Sequence, residues 1–388
     1  MNDSRATQWN SRRCVVLRNE SIELVVLTGG GHIASLRSTS SEMNVLWQAP
    51  WKTVDPHDPE QSWLAAEYGG GPVGKFLAGY TGHALCLDVF GMPCQEEASN
   101  GVALHGEAAV REWHVTSQND VSCTMAVDLP HARLRLTRNV SLGGSAVYVS
   151  ETVQNLRDVP CSSHWVQHTT FGQPMICEQD EITASLERCI TWPLGYDGHS
   201  LVPDNAVFSW PSVPASENGQ IFDLSSSFST SGTGFVVAGL VPESREIGFV
   251  LARSRARGTA VGYCFRRSDF PWVAIWEENC ARQQPPWNGR AQVRGMEFGT
   301  TPMPLGRTGS ALLFETPGEI AFAPRASRQA RYCIFVADVP SNWERVTNVQ
   351  VEAEGIRLES DAPYDQIHLN APAAKLFFTH QKEQSRNE

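Results

Sequence analysis

The chain is 388 residues long, 41% hydrophobic and 19% charged, with 12 Trp and 16 Phe, a globular composition with ample material for a large core. Its formal charge of −11 contains no basic block, which argues against a nucleic-acid groove and an anionic membrane surface and leaves a small neutral ligand as the expected partner. Ten cysteines without Cys-x-x-Cys spacing, a polar start (MNDSRATQWNSRRC) and no 18-residue apolar run lead us to expect buried thiols in a reducing cytoplasm, where the sequons at Asn2, Asn19 and Asn139 go unused.

Residues 1–12 and 381–388 are polar and patternless and are expected to be flexible tails around a domain spanning 13–380. From Cys14 the pattern is one of strands: Cys14–Leu17, Ile22–Leu27 and, after the turn Thr28–His32, Ile33–Leu36. Trp47–Tyr80 is rich in Trp, Pro, Asp and Gly and keeps no period, which reads as a long functional loop with short helical turns. Gly82–Gly91 and Gly101–Ala108 follow as strand-like runs, the second containing His105 and Glu107. In extended chain these two would share a face roughly 6–7 Å apart and could hold one ligand. Between Ala109 and Thr152 segments of strand length recur with turns between them, a meander in which Arg133 and Arg135 alternate with Leu134 and Leu136.

His164–Gly172 is the next strand. It places His164 and His168 about 13 Å apart, too far to share a metal. Residues 178–235 read as loops with short strands, and strands resume at Phe235–Leu240, Ile247–Ala252, Val273–Pro304, Ala311–Phe314, Glu319–Phe322 and Arg331–Ala337, with a further strand pattern across Val346–Thr379. No sustained amphipathic helix period appears, so the fold class is all β.

The stretch Val273–Pro304 carries the chemistry to watch, because Glu297 lies between Met296 and Phe298 in an apolar run. Burial would favour the protonated carboxyl and move it toward the range of a working base; a structural pairing with Arg294 or Arg290 is the competing reading. His168 sits on an otherwise apolar face near a strand rim, as an acid or as a satisfied core histidine, and the same choice applies to His105. Glu107 also reads as a structural partner of Arg111 or His105. Of Glu277 and Glu278, at most one faces a site, since neighbours in a strand point to opposite sides. A metal site from His83, Asp88, His105 and Glu107 follows no recognised ligand spacing, and Gly69–Lys75 lacks the strand-to-helix context of a phosphate loop.

With these residues in view the chain resembles the galactose mutarotase (aldose 1-epimerase) superfamily from about Cys14 to Val336. The resemblance rests on Leu104-His105-Gly106, on Asn155–Pro160 followed by His168-Thr-Thr-Phe-Gly, and on Gly295-Met-Glu297-Phe-Gly with Pro317-Gly-Glu319 and Arg331-Tyr-Cys-Ile-Phe after it. It departs from the usual pattern at Glu107, the third position of the family's His-Gly-Gly, and at Phe298–Pro302, which follow the glutamate. The resemblance implies a single-domain β supersandwich of antiparallel sheets, no cofactor and no metal. It also implies a neutral sugar as partner, with Glu297 as base, His168 as acid and His105 on the substrate. Lys75, Arg111 and Asp88 are candidates for further sugar contacts, and Trp276 or Trp287 for stacking on the ring. The same fold also serves as a noncatalytic sugar-binding module, and a sugar-phosphate epimerase would show a cluster of cations at the cleft.

Overall fold

A computed structural model describes residues 7–56, 64–196, 199–214, 220–308, 312–362, 364–372 and 374–379. Among them the strands form sheets of fourteen, eight, three and two, and every named strand pair is antiparallel. The two large sheets pack face to face over a common core. It takes Trp165, Phe171, Met296 and Phe298 from one sheet and Tyr263, Phe265, Tyr332 and Ile334 from the other. Phe265 stacks on Phe298 across the interface with ring centroids 4.3 Å apart. The all-β reading therefore holds, in the form of a β supersandwich.

Solvent reaches the two sheets differently, and the sequence patterns follow. Leu134–Gly143 alternates because its outer face is wet: Arg135 is exposed and pairs with Asp128 while Leu134 and Leu136 enter the core. The strands at the middle of the larger sheet do not alternate. They run in the order His83–Asp88, Cys161–Gly172, Gln292–Gly299, Trp272–Asn279 and Thr233–Leu240, and they are buried on both faces. One face meets the core, and the other lies beneath a lid formed from residues 47–56 and 64–80, with helices Leu64–Tyr68 and Gly71–Gly79. Trp47, Phe76, Leu77 and Tyr80 pack there against Ala84 and Trp287.

Part of the outer face of the eight-stranded sheet, on Ile247–Ser254, Thr259–Arg266 and Ser327–Asp338, is covered as well. A three-stranded sheet, Val346–Val351, Gly355–Ser360 and Gln366–Asn370, and helix Ala374–Thr379 bury Phe249, Leu251, Cys264 and Phe335 under Trp343, Ile356, Leu358 and Phe378.

Strand pairing starts before Cys14. Gln8–Trp9 pairs with Arg12–Arg13, and Arg12 is buried, its guanidinium donating to the carbonyls of Gly29 and Gly79 and to Asp55. The polar composition of residues 7–12 hides this, because the polar head of Arg12 is satisfied internally. The first six residues and the expected tail 381–388 lie outside the described residues. No described helix is long and apolar enough to cross a membrane.

Candidate active site

His168 and Glu297 come together because two neighbouring strands place them opposite each other. The register Gln167↔Phe298 and Thr170↔Gly295 puts residue 168 across from 297. Continuing the row outward, His168 faces Ala84 on one side, and Glu297 faces Ala274 and then Ala238 on the other. Two long polar side chains flanked by alanines leave a hollow in the sheet face. Cross-strand Cβ atoms stand only about 4.5–5.5 Å apart, so the imidazole and carboxyl meet without distortion: His168 Nε2 lies 3.1 Å from Glu297 Oε1.

The hollow is the floor of a cavity of about 480 Å³, in the size range of small-molecule sites. Phe76 and Tyr80 wall it from the lid, Trp276 and Trp287 from the far side, and Tyr196, Arg282 and Gln284 from loops at the mouth. Met296 and Phe298 turn out to face the core on the opposite side of the sheet. The low polarity around Glu297 comes from the residues that share its face, namely Ala274, Trp276 and Tyr80, and not from its sequence neighbours.

Electrostatics follow from that burial. Glu297 is driven well above the usual carboxylate range by desolvation, with no cation among the described residues close enough to oppose it. Desolvation likewise depresses His168, to about 3. Both shifts favour a neutral pair holding one proton between Nε2 and Oε1, the arrangement in which neither buried charge is left uncompensated. The Tyr80 hydroxyl lies 3.0 Å from His168 Nδ1, on the other side of the ring.

His105 reaches the same cavity by a different route from the one its sequence suggests. Residues 101–107 form turns, not a strand: His105 has φ +65° and Gly106 φ +91°, where a Cβ would meet the Leu87 carbonyl oxygen at 2.3 Å. The imidazole Nδ1 accepts the Gly91 amide at 3.1 Å. A neutral His105 therefore carries its proton on Nε2, as a donor at the cavity wall, 5.0 Å from the His168 ring centroid to centroid.

Glu107 is separated from His105 by the same turn and shares no ligand with it. Its carboxylate accepts the amides of His131 and Ala132, both at 3.0 Å, and pairs with Arg111 at 3.6 Å. The other polar candidates also lie outside the cavity lining. Asp88 is held by Arg307, which also binds Glu97, and Lys75 donates to the Gly101 carbonyl at 3.0 Å. His83 Nε2 is bonded to Gln167 in the core, and His164 Nδ1 accepts the Phe90 amide. Among the described residues no group of three or more His, Cys, Asp and Glu side chains is arranged to hold a metal. Arg294 pairs with Glu277 and not with Glu297, and Glu278 accepts from Tyr196 and from the amides of Ala281 and Arg282.

Trp276 and Trp287 do line the cavity, edge to face at 74° with centroids 5.9 Å apart. The sequence reading missed Tyr80, Tyr196, Arg282 and Gln284. Tyr80 closes the aperiodic Trp-rich block, and Arg282 and Gln284 lie within the Val273–Pro304 stretch itself, so position near those segments was the available signal.

No protein-family model matches the sequence, and no curated protein matches it. Solved structures do. A galactose mutarotase related enzyme from Lactobacillus acidophilus superposes with a TM-score of 0.54 at 15% identity, over 84% of this chain and 98% of that one. A galactose mutarotase-like protein from Clostridium acetobutylicum gives 0.56 at 14% identity, over 86% and 97%. Another from Lactobacillus casei gives 0.53 at 12%, over 84% and 100%. The doubly covered central strands, the facing sheets and these near full-length superpositions lead to one conclusion: the chain has the galactose mutarotase-like fold.

Proposed function

We propose that the protein is an aldose 1-epimerase, interconverting the anomers of a neutral sugar by acid/base ring opening. The observation that carries this reading is the direct contact of a buried imidazole with a buried carboxyl on the floor of an aromatic cavity. Anomer exchange requires one proton to leave the C1 hydroxyl and one to reach the ring oxygen. Glu297 takes the first and His168 supplies the second. Rotation about C1–C2 and reclosure with the roles reversed give the other anomer. Each group is worth roughly 10²- to 10⁴-fold in rate. Because the pair shares a single transferable proton, it passes from Glu297 to His168 across the 3.1 Å contact when sugar hydroxyls replace the missing solvation of the carboxylate. His105 Nε2–H anchors a sugar oxygen, and the indoles of Trp276 and Trp287 meet the apolar ring face.

A phosphorylated sugar is disfavoured. Arg282 is the one cationic side chain among the described residues lining the cavity, and it is engaged with Glu278 at 3.7 Å and with the rings of Tyr196 and Trp287. All ten cysteines are free thiols, which supports a cytoplasmic setting.

The deciding experiment is saturation-transfer NMR of anomer exchange on a panel of neutral aldoses, with Glu297→Gln and His168→Asn alongside the wild type. Accelerated exchange lost in both variants supports the enzyme. Sugar binding without acceleration would instead make the protein a noncatalytic binding module.

A further inference from the structure

The far wall of the cavity is assembled from three stretches of chain: Tyr196 from the loop after Arg188–Thr191, Trp276 from the strand Trp272–Asn279, and Arg282 from the turn that follows that strand. All three meet at Glu278, which is fully buried behind them. Alternation along the strand puts Glu278 on the same face as Trp276, one pleat further on. Its neighbour across the sheet is Gly234, where a Cβ would meet the Tyr196 ring at 2.2 Å, so the glycine makes the seat from which that ring reaches the carboxylate.

The contacts form a continuous chain. Glu278 Oε2 accepts the Tyr196 phenol at 2.7 Å, and the phenol oxygen in turn accepts the Trp276 indole N–H at 2.9 Å. Burial holds the phenol well above its ordinary value, so it keeps the proton it donates. Glu278 Oε1 accepts the amides of Ala281 and Arg282 at 2.6 and 2.9 Å, which fixes the backbone of the turn. The Arg282 guanidinium lies 3.7 Å from Oε2 and over the rings of Tyr196, Trp287 and Trp276, at 4.8, 5.3 and 5.8 Å from their centroids. An indole has one N–H and a phenol one O–H, and here both protons are taken up within the wall.

We infer that Glu278 is the positioning residue of this aromatic wall: it commits the polar edges of Trp276 and Tyr196 to each other and sets Arg282 against the rings, so that the wall meets the sugar through ring carbon and selects for its C–H face. This deepens the anomer-exchange reading and rests on it for the identity of the ligand. Glu278 moves no proton in the reaction. The contact of His168 with Glu297 is set by strand register, so disturbing the wall should weaken binding and leave the chemical step alone.

The test compares Glu278→Gln and Tyr196→Phe, singly and together, with Glu107→Gln as the control that perturbs folding away from the cavity. The first readout is the indole ¹H–¹⁵N signal of Trp276, identified by its loss in Trp276→Phe. It should move toward that of a free indole in Tyr196→Phe, shift in Glu278→Gln and hold still in Glu107→Gln. The second is anomer exchange of the fastest aldose of the panel. KM should rise about 2- to 10-fold in either variant, the worth of one aromatic contact, at unchanged kcat. Since both substitutions cut one chain of contacts, the double variant should be no worse than the worse single. Should Glu278→Gln fail to fold, Tyr196→Phe, which keeps both the carboxylate and the ring, decides by the same two readouts. A Trp276 signal unmoved by the substitutions overturns the inference, as does a KM no higher than that of Glu107→Gln, or losses that multiply in the double variant. The indole readout needs no turnover, so a protein that exchanges no sugar yet shows the Trp276 shift would refute the enzyme and leave the Glu278 assignment standing.

Discussion

Gly295 and Glu297 share a face of one strand, and the carboxyl folds back over the glycine so closely that a Cβ at 295 would meet Glu297 Oε1 at 2.5 Å. The Trp276 ring borders the same spot at 3.2 Å, so the side chain cannot retreat that way. Gly295→Ala is therefore expected to push the carboxyl out of line with His168. A displacement near 1 Å lowers turnover about 10²-fold, and the crowding costs about 1–3 kcal/mol of stability. Gly299→Ala is the control. It lies on the same strand as Gly295, crowds Val166 of the neighbouring strand, and should lose comparable stability in a urea titration while keeping far more of its exchange rate.

Replacing Glu297 should stabilise the protein as it abolishes activity. Burial raises this carboxyl, so the folded chain holds a proton that the unfolded chain releases above about pH 4.5. The stability forfeited grows as pH rises from there through the raised folded value, at about 1.4 kcal/mol per pH unit. Glu297→Gln removes that loss. Its urea midpoint should exceed the wild type's at pH 8, and the two should converge near pH 4.5; equal midpoints throughout would mean that the carboxyl is not desolvated.

Acid should unfold the protein steeply. His32 and His168 are both depressed to about 3 by burial, and burial holds His83 and His105 well below the ordinary value. All four stay neutral in the folded state and take up protons on unfolding. Their contribution is intact above about pH 6.5 and is lost as pH falls toward 3, at about 1.4 kcal/mol per pH unit for each histidine. Urea titrations at pH 7.5, 6 and 5 should show this slope. A flat series would mean that these rings are protonated within the fold.

Glu107 should matter to folding and not to the sugar. Its carboxylate ties the backbone at His131 and Ala132 to the turn after His105. Glu107→Gln is expected to lower stability by about 1–3 kcal/mol, the range for weakening a buried charged acceptor, with KM for the sugar unchanged. A raised KM at unaltered stability would return this residue to the binding site.

The sequence made the class of fold legible because strands announce themselves through alternation and turns. It made Glu297 and His168 legible because polar groups stand out in apolar runs. Their partnership was not legible, since residues 129 positions apart meet only through a register that no local pattern encodes. His105 does line the cavity, on a different backbone from the one expected: a non-glycine at positive φ turned an apparent strand into a bend and sent Glu107 elsewhere. Arg12, Asp88 and Lys75 show the remaining difficulty. A charged residue looks the same in sequence whether it meets substrate, a carbonyl oxygen or another side chain.

The central strand Cys161–Gly172 presents Gln167 to the core, bonded to Glu151 and His83, and His168 to the cavity. Sliding that strand by a single residue would exchange them, placing an amide on the cavity floor and an imidazole in the sandwich interior. The contact of His168 with Glu297 is thus tied to the pairing of the whole sheet and cannot drift by small steps. The walls around it, from 71–80, 192–196 and 282–287, hang from loops and a short helix that carry no such constraint. Changes in what the cavity accepts are open to this protein through its walls, while its floor admits only one arrangement.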